Sequence, residues 1–195
     1  MHLTLILLFA MTPVVLRAAE SLPVSGGQSP NGVYRLVLRS PAAKDDGTTL
    51  EVININSHKT ALTLELSSYS EVPHLADSSI TVCSWSPDSK HFALMTRETK
   101  RTFKTSIYSV GKQFKQIGIP DPTNFILKSL NQTEIFRFLR ETPIRWLDSE
   151  HVVLKIEGDC GKAPAVLIYE SEVKISITSG HLSVLNRIET KKEEG

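Results

Sequence analysis

The chain has 195 residues with a formal net charge of +1, and 41% of its residues are hydrophobic. This length and composition suit one globular domain with its own hydrophobic core. The nearly balanced charge provides no basic footprint for nucleic acid or anionic lipid, and it therefore speaks against both of these partner classes.

The first residues have the features of an export signal. The apolar run over residues 3–16 is shorter than the roughly 20 residues that cross a bilayer. Ala18 and Ala19 follow it, as a signal peptidase prefers. No Lys or Arg precedes the run, so an uncleaved N-terminal anchor is the alternative. We predict a signal peptide over residues 1–19, a mature chain from near Glu20, and a periplasmic or extracellular location without an integral membrane segment.

Strand signals dominate the mature chain. After a flexible Gly-rich lead-in at residues 25–27, a first group of strands is predicted over residues 34–39, 50–55 and 61–66. In the last of these strands, leucines alternate with small or polar residues. This period of two indicates a strand with one buried face.

Two further groups of short strands follow. The second group is predicted over residues 80–85, 91–96, 104–110 and 114–119, and the third begins at residue 144 and continues over 152–156, 165–170, 173–178 and 182–188. Between them, apolar residues recur mostly three to five positions apart with prolines on either side, which predicts a helical segment over 124–141. Residues 189–195 have nothing to bury, so we expect a disordered tail.

A turn followed at once by a strand recurs through the chain. The clearest copy covers residues 85–94, and weaker copies cover residues 29–38 and 146–154. In the clearest copy, Pro87 presets the backbone of the turn. The Asp88 side chain can accept hydrogen bonds from backbone amides just ahead of it. The three copies predict three modular groups of strands.

This unit resembles the blade motif of TolB-type, WD-repeat-like β-propellers. In that family, a tryptophan ends the inner strand of each blade, and a Ser-Pro-Asp-Gly turn leads to the second strand. Trp85 and Trp146 match the tryptophan, and Asp88 and Asp148 match the aspartate. The chain departs from the pattern where serines replace the glycine and where Leu147 replaces the Ser-Pro pair. The resemblance implies blade-like strand groups and says little about activity.

Three groups are too few for a closed propeller, which typically has four to eight blades. We therefore predict a mainly β fold of three antiparallel, propeller-like strand groups with one inserted helical segment. The groups form either an open or partial propeller or a sandwich-like body. The single β-rich domain is expected to cover residues 20–188.

The two cysteines leave two alternatives open. In an exported protein, an even count favours a disulfide between Cys83 and Cys160. The other alternative is two free thiols, one of them buried. Cys160 lies in a polar stretch, residues 157–162, which we interpret as a surface loop. Neither cysteine has companions at the spacing of a zinc site.

Candidate catalytic groups are few. Ser86, Asp88 and His91 lie close together in the sequence, but a turn followed by a strand explains all three, and closeness in sequence is not triad geometry. Arg137 and Arg140 are interpreted as part of a solvated helix face. Because no nucleophile elbow, phosphate loop or cofactor motif is present, we assign no catalytic, cofactor-binding or metal-binding residue and expect no cofactor.

Three functions remain open. The first is an exported, non-enzymatic binding or scaffolding domain, because exposed strand edges invite pairing with a protein partner or a second copy. The second is a hydrolase or lyase of a cell-envelope polymer, for which His91, His151, Glu157 and Asp159 would converge in one cleft. The third is a secreted enzyme inhibitor that presents a disulfide-braced loop at Cys160.

Overall fold

The computed structural model describes residues 21–39, 48–66, 81–132, 135–162 and 165–193. Within these ranges, the chain forms twelve strands and one helix. Blade 1 consists of β1 (Ser21–Gln28), β2 (Tyr34–Arg39), β3 (Thr49–Asn54) and β4 (Thr60–Glu65). Blade 2 consists of β5 (Val82–Trp85), β6 (His91–Arg97), β7 (Thr102–Ser109) and β8 (Lys115–Ile117). After helix α1 (Pro122–Ser129), blade 3 consists of β9 (Ile135–Trp146), β10 (His151–Lys162), β11 (Ala165–Ser176) and β12 (Leu182–Glu193).

Neighbouring strands within each blade are antiparallel, and short parallel contacts join the blades. Strand β1 meets β5 where Ser25 pairs with Val82, and β7 meets β9 where Phe103 pairs with Arg140. The described strands thus form one open path from β12 to β4, with β8 added to β7. The predicted mainly β fold of three antiparallel groups with one helical segment is confirmed.

The hydrophobic core lies between the blades in two clusters. Along β6, Phe92 and Leu94 belong to the cluster between blades 1 and 2, whereas Ala93 belongs to the cluster shared by blade 2, α1 and blade 3. Successive side chains of a strand point to opposite faces, so one strand serves both clusters. Blade 2 is therefore buried on both faces.

The helix predicted over residues 124–141 is correct only in its first part. Helix α1 begins after Asp121, whose carboxylate accepts a hydrogen bond from the Asn124 amide at 3.0 Å. It ends before Asn131, whose φ of 56° is incompatible with a right-handed helix. Among the described residues, no helix is long and apolar enough to cross a bilayer.

Residues beyond 135 are strand because they pair with β10. From Trp146 back to Ile135, β9 is matched to β10 with two register shifts. Leu139 and Glu141, two positions apart, are both buried. The apolar spacing that suggested a helix is thus overridden by pairing with a strand later in the chain, which periodicity alone does not reveal.

Blade 3 corrects three further expectations. The stretch at 157–162 is part of strand β10, not a loop, and it pairs with both β9 and β11. The strands predicted at 165–170 and 173–178 are one strand, β11. The tail expected to be disordered from residue 189 continues strand β12 to residue 193. Its backbone hydrogen bonds with β11 need no apolar side chains.

The Gly-rich lead-in at residues 25–27 is also strand. Gly26 has a φ of 69°, and a Cβ built there would lie 2.1 Å from the carbonyl oxygen of Cys83. A Cβ on Gly27 would meet the Val24 carbonyl oxygen at 2.9 Å. Gly26 therefore permits β1 to approach β5 closely, and Gly27 avoids a clash within β1 itself. Both findings replace our interpretation of a flexible segment.

Candidate functional site

The turn of the clearest repeat is held by its own side chains. The Ser86 hydroxyl donates to the Asp88 carboxylate at 2.7 Å. The Asp88 carboxylate also accepts a hydrogen bond from the Lys90 amide at 3.1 Å. The backbone amide of His91 donates to the Ser86 hydroxyl at 2.9 Å. Ser86, Asp88 and His91 do come together, but these bonds use the backbone of His91 rather than its ring and build a turn.

The first copy repeats the same bonds with different residues. The Ser29 hydroxyl donates to the Asn31 side chain at 2.8 Å, and the Val33 and Tyr34 amides donate to Asn31 and Ser29 at 3.0 and 2.9 Å. Asn31 therefore does in blade 1 what Asp88 does in blade 2. The turn geometry depends on the acceptor oxygen and not on a charge.

Ser89 explains the departure from the glycine of the resembled motif. Its φ of 61° is in the left-handed region that usually favours glycine. Its hydroxyl accepts a hydrogen bond from the backbone amide of Asn31 at 3.1 Å. A glycine could not make this bond, which fixes the first two turns side by side at one end of the blades.

The third copy uses one carboxylate for the whole turn. Asp148 accepts hydrogen bonds from the Glu150 and His151 amides at 2.7 and 2.8 Å, and the His151 ring nitrogen Nδ1 lies 2.9 Å from the same carboxylate. Hydrogen bonds from the Glu150 amide and then from the His151 ring lower the pKa of the Asp148 carboxyl. The imidazole is therefore held in a fixed orientation.

The two tryptophans of the repeats join successive blades in the same way. The Trp85 indole donates to the Gly27 carbonyl of β1 at 3.2 Å and stacks on the Tyr34 ring at 6.3 Å with an interplanar angle of 8°. The Trp146 indole donates to the Ser84 carbonyl of β5 at 3.0 Å. The Trp146 ring also stacks on the ring of His91, with 6.1 Å between the ring centroids and an interplanar angle of 22°. His91 occupies in the second copy the position that Tyr34 occupies in the first.

Gly27 and Ser84 occupy the same place in their copies, immediately before the position of the tryptophan. Each inter-blade joint thus consists of a carbonyl and a ring on one blade and a tryptophan on the next. Trp85 and Trp146, identified from the sequence as turn-motif residues, act in these joints. This role has no signal within a single copy of the motif.

In blade 3, the carbonyl and the ring that would receive a tryptophan from a following blade are the Arg145 carbonyl and the His151 ring. Among the described residues, no later blade supplies a tryptophan to them. The His151 side chain is 33% exposed, and the neighbouring Leu147 is 50% exposed. We call these residues, together with Asp148, the acceptor corner of blade 3.

The large exposed hydrophobic side chains are all in blade 3 as far as the structure describes the chain, and we call this set the blade 3 apolar set. Its members are Leu147, Ile168, Val184, Leu185 and Ile188. The outer face of the same blade carries ion pairs. Arg145 lies 2.7 Å from Glu172, and Lys155 contacts Glu157 at 3.0 Å and Glu170 at 3.1 Å.

The Lys155 ion pairs of blade 3 occupy a position that is apolar and buried in blade 2. Met95 is completely buried and contacts the Thr142 hydroxyl of β9 at 3.5 Å. Lys155 occupies the position of Met95 in the third copy, as His151 occupies that of His91. The centre of the blade 3 face is therefore adapted to water.

A buried carboxylate joins blade 2, α1 and blade 3. The Glu141 side chain is 1% exposed and lies 2.7 Å from the Lys104 ammonium. It accepts further hydrogen bonds from the Thr123 hydroxyl at 2.5 Å and the Thr105 amide at 3.1 Å. Burial by itself lowers the pKa of Lys104, but the carboxylates of Glu141 and Asp121 outweigh it and raise the pKa. Every partner is occupied within the protein, which indicates a structural role.

The four residues that a hydrolase would need do not converge. His91 stacks on Trp146, and Asp159 accepts two backbone amides of β9 at 2.6 and 2.7 Å. His151 and Glu157 are six positions apart on one strand, which corresponds to roughly 20 Å. Among the described residues, no group of three or more His, Cys, Asp or Glu side chains could hold a metal ion.

Both cysteines are free thiols in different parts of the core. Cys83 belongs to the cluster between blades 1 and 2, and Cys160 belongs to the cluster around α1 and blade 3. Burial raises the pKa of both thiols. The structure thus holds two free thiols instead of a Cys83–Cys160 bridge, and there is no disulfide-braced loop.

An open cavity of about 540 Å³ lies between β1 and β2, where their pairing shifts between Pro23 and Gln28. Its lining includes Arg35, Leu36 and Val37 of β2. Arg35 is the single ionisable side chain among the described residues that line it. The cavity therefore offers no acid–base pair.

No family model matches the chain, and no curated protein matches it. Among solved structures, the crystal structure of TolB from Acinetobacter baumannii is 12% identical with a TM-score of 0.34, covering 86% of this chain and 44% of that one. A structure from an analysis of two prolyl endopeptidases is 12% identical with a TM-score of 0.39, covering 85% of this chain and 28% of that one. The chain thus spans less than half the length of either, and its function has to be argued from its own residues.

Proposed function

We propose that the protein is an exported, non-enzymatic binding module that takes a protein partner on blade 3. The observation that carries the proposal is the asymmetry between the two ends of the blade array. The exposed large hydrophobic side chains of the described residues are confined to blade 3. An end of the array that exposes large hydrophobic side chains is better suited to an interaction surface than an end that exposes none.

The outer face of blade 1 differs from that of blade 3. Val37 and Ile53, which lie opposite the core cluster, are 6% and 7% exposed. Arg39 pairs with Glu51 at 2.7 Å on the same blade. Blade 1 thus has no large exposed apolar side chain among its described residues, and we assign the partner to the other end.

The size of the blade 3 apolar set suits a partner that also makes directional contacts. Fully burying one such side chain contributes about 1.5–3 kcal/mol, so a half-exposed one contributes roughly 1 kcal/mol. This is less than the free energy that association costs. Polar and aromatic contacts at the acceptor corner would have to supply the remainder.

Export is part of the same proposal and has its own test. The apolar N-terminal run followed by Ala18 and Ala19 supports cleavage near Glu20. The intact mass of the protein recovered from the periplasm or medium of the producing cells should correspond to a chain that begins there. A full-length mass confined to the cytosol would contradict export.

The binding function is tested by affinity capture from the producing cells with matched variants. Leu147→Lys combined with Ile188→Lys places two charges in the blade 3 apolar set, whereas Thr63→Lys places one on the exposed edge strand of blade 1. We expect one specific protein to be retained by the wild type and by Thr63→Lys and lost with the double variant. The proposal would be contradicted if the double variant retained the same protein as the wild type, or if the wild type retained no specific protein.

A further inference from the structure

We infer that the partner of blade 3 is anchored by a tryptophan that stacks on the His151 ring and donates its indole N–H to the Arg145 carbonyl. This inference deepens the proposed function and rests on it. It names the chemistry of the partner: a short segment of another polypeptide with an exposed tryptophan.

The molecule itself contains two precedents for this joint. The Tyr34 ring and the Gly27 carbonyl receive Trp85, and the His91 ring and the Ser84 carbonyl receive Trp146. The second precedent uses a histidine as the stacking platform. The imidazole of His151 is therefore sufficient for the same role in the third copy.

The acceptor corner is accessible and already oriented. His151 is one-third exposed, and its ring nitrogen is fixed by Asp148 at 2.9 Å. A preorganised platform loses little conformational entropy when a ring stacks on it. The half-exposed Leu147 extends the platform with apolar surface.

The ion pairs on the outer face limit the size of the partner. Lys155 with Glu157 and Glu170, and Arg145 with Glu172, would all have to lose water beneath a complete apolar blade. Desolvating paired charges without new partners is unfavourable. A short segment at the acceptor corner avoids this cost, so the geometry favours a peptide-like anchor over a whole blade.

A second copy of this chain does not fit the corner through its first blade. In the first repeat, Gln28 stands at the position of Trp85. A glutamine side chain can donate a hydrogen bond but has no aromatic ring to stack on His151. Head-to-tail association would therefore leave the joint incomplete, and we assign the tryptophan to a different protein.

The test is a titration of the folded protein with a blocked peptide that copies residues 84–90, and a second peptide in which alanine replaces the tryptophan. The His151 ring and the backbone amides around it are followed by NMR. We expect saturable shifts with the tryptophan peptide, a dissociation constant on the order of 1 mM, and no saturable shifts with the alanine peptide.

Three protein variants decide whether the ring is the platform. His151→Ala should weaken peptide binding roughly five- to tenfold, whereas His151→Tyr, which copies Tyr34 of blade 1, should retain it. His181→Ala removes another exposed histidine and should change nothing. Equal binding of both peptides, no saturable binding, or unchanged binding by His151→Ala would overturn the inference.

These outcomes are separable from those of the proposed function. If a natural partner is captured and is lost with the Leu147→Lys and Ile188→Lys changes but not with His151→Ala, the tryptophan anchor is wrong and the binding function stands. If the peptide binds at His151 but the cells yield no partner, the anchor chemistry stands and the binding function fails.

Discussion

At the scale of single residues, Glu141 links three elements of the fold. Its carboxylate is buried where blade 2, α1 and blade 3 meet, and it is bonded to Lys104, Thr123 and Thr105. A buried carboxylate with all its partners in place holds those elements together, because separating them would leave a buried charge without its partners.

We expect Glu141→Gln to lower the free energy of unfolding by about 2 to 4 kcal/mol, since it leaves the Lys104 ammonium without its nearest charge. Glu172→Gln breaks the exposed pair with Arg145 and should cost less than about 1 kcal/mol. Urea unfolding of both variants measures the difference. Equal losses would mean that the Glu141 network contributes no more than a surface pair.

Two glycines with nearly the same positive φ should respond very differently to alanine. Gly26 and Gly32 have φ values of 69° and 70°, but a Cβ at Gly32 would meet nothing within 4 Å, whereas one at Gly26 would collide with the Cys83 carbonyl. Gly32→Ala should cost about 1 kcal/mol for the left-handed conformation alone. Gly26→Ala should cost roughly 4 kcal/mol or more because the β1–β5 contact must open.

Thermal and urea unfolding compare the two glycine variants directly. A Gly26→Ala protein as stable as Gly32→Ala would show that β1 does not approach β5 as closely as described.

The Asp148 turn predicts a dependence of stability on pH. Because folding lowers the pKa of this carboxyl, its charged form stabilises the folded state above the unfolded pKa of about 3.9, and the contribution is lost as the pH falls through the folded pKa. Asp148→Asn keeps an acceptor oxygen but no charge. We expect the wild type to exceed it in urea midpoint at pH 5 and the gap to be smaller at about pH 3, below the unfolded pKa. A gap that is the same at both pH values would contradict this.

At the scale of elements, the local chemistry of the turns was readable from the sequence, whereas the partners of the strands were not. Pro87 and Asp88 identified the turn and the following strand because the bonds involved span a few residues. The strand character of β9 was missed because it depends on pairing with β10. Glu141 was missed because its partner Lys104 lies 37 positions away.

The inter-blade joints show the same limit. A tryptophan before the turn was recognisable in two copies, but its acceptors are in the preceding blade. The bond between Ser89 and Asn31 also crosses between blades. The role of a side chain that bonds to another blade can be recognised once the copies are aligned on the structure.

The position of the two cysteines in separate core clusters makes a prediction at this scale. Both are buried, and burial raises the pKa of both thiols, so neither should react with a thiol reagent such as Ellman's in the native protein. In concentrated guanidinium chloride without reductant, both Cys83 and Cys160 should react. Rapid labelling of the native protein, or no thiol in the unfolded protein, would contradict the described core.

At the scale of the whole molecule, the blade array is directional. Each joint places a tryptophan of the later blade on a ring of the earlier one. Within the part of the chain that the structure describes, the first repeat has Gln28 at the tryptophan position, and no tryptophan stacks on His151 of the third repeat. The blade 3 apolar set lies at this end of the array. The proposed binding function follows from that direction, since the end with an unfilled joint is also the end with exposed apolar side chains.

The most direct measurement is photo-crosslinking in the producing cells with p-benzoylphenylalanine placed at matched positions of the two ends. Leu147 and Ile188 report on blade 3, and Ala61 and Thr63 report on the exposed edge strand of blade 1. The proposed function predicts an adduct with the same protein from both blade 3 positions and none from blade 1. Adducts from blade 1 alone, or none from blade 3, would contradict it.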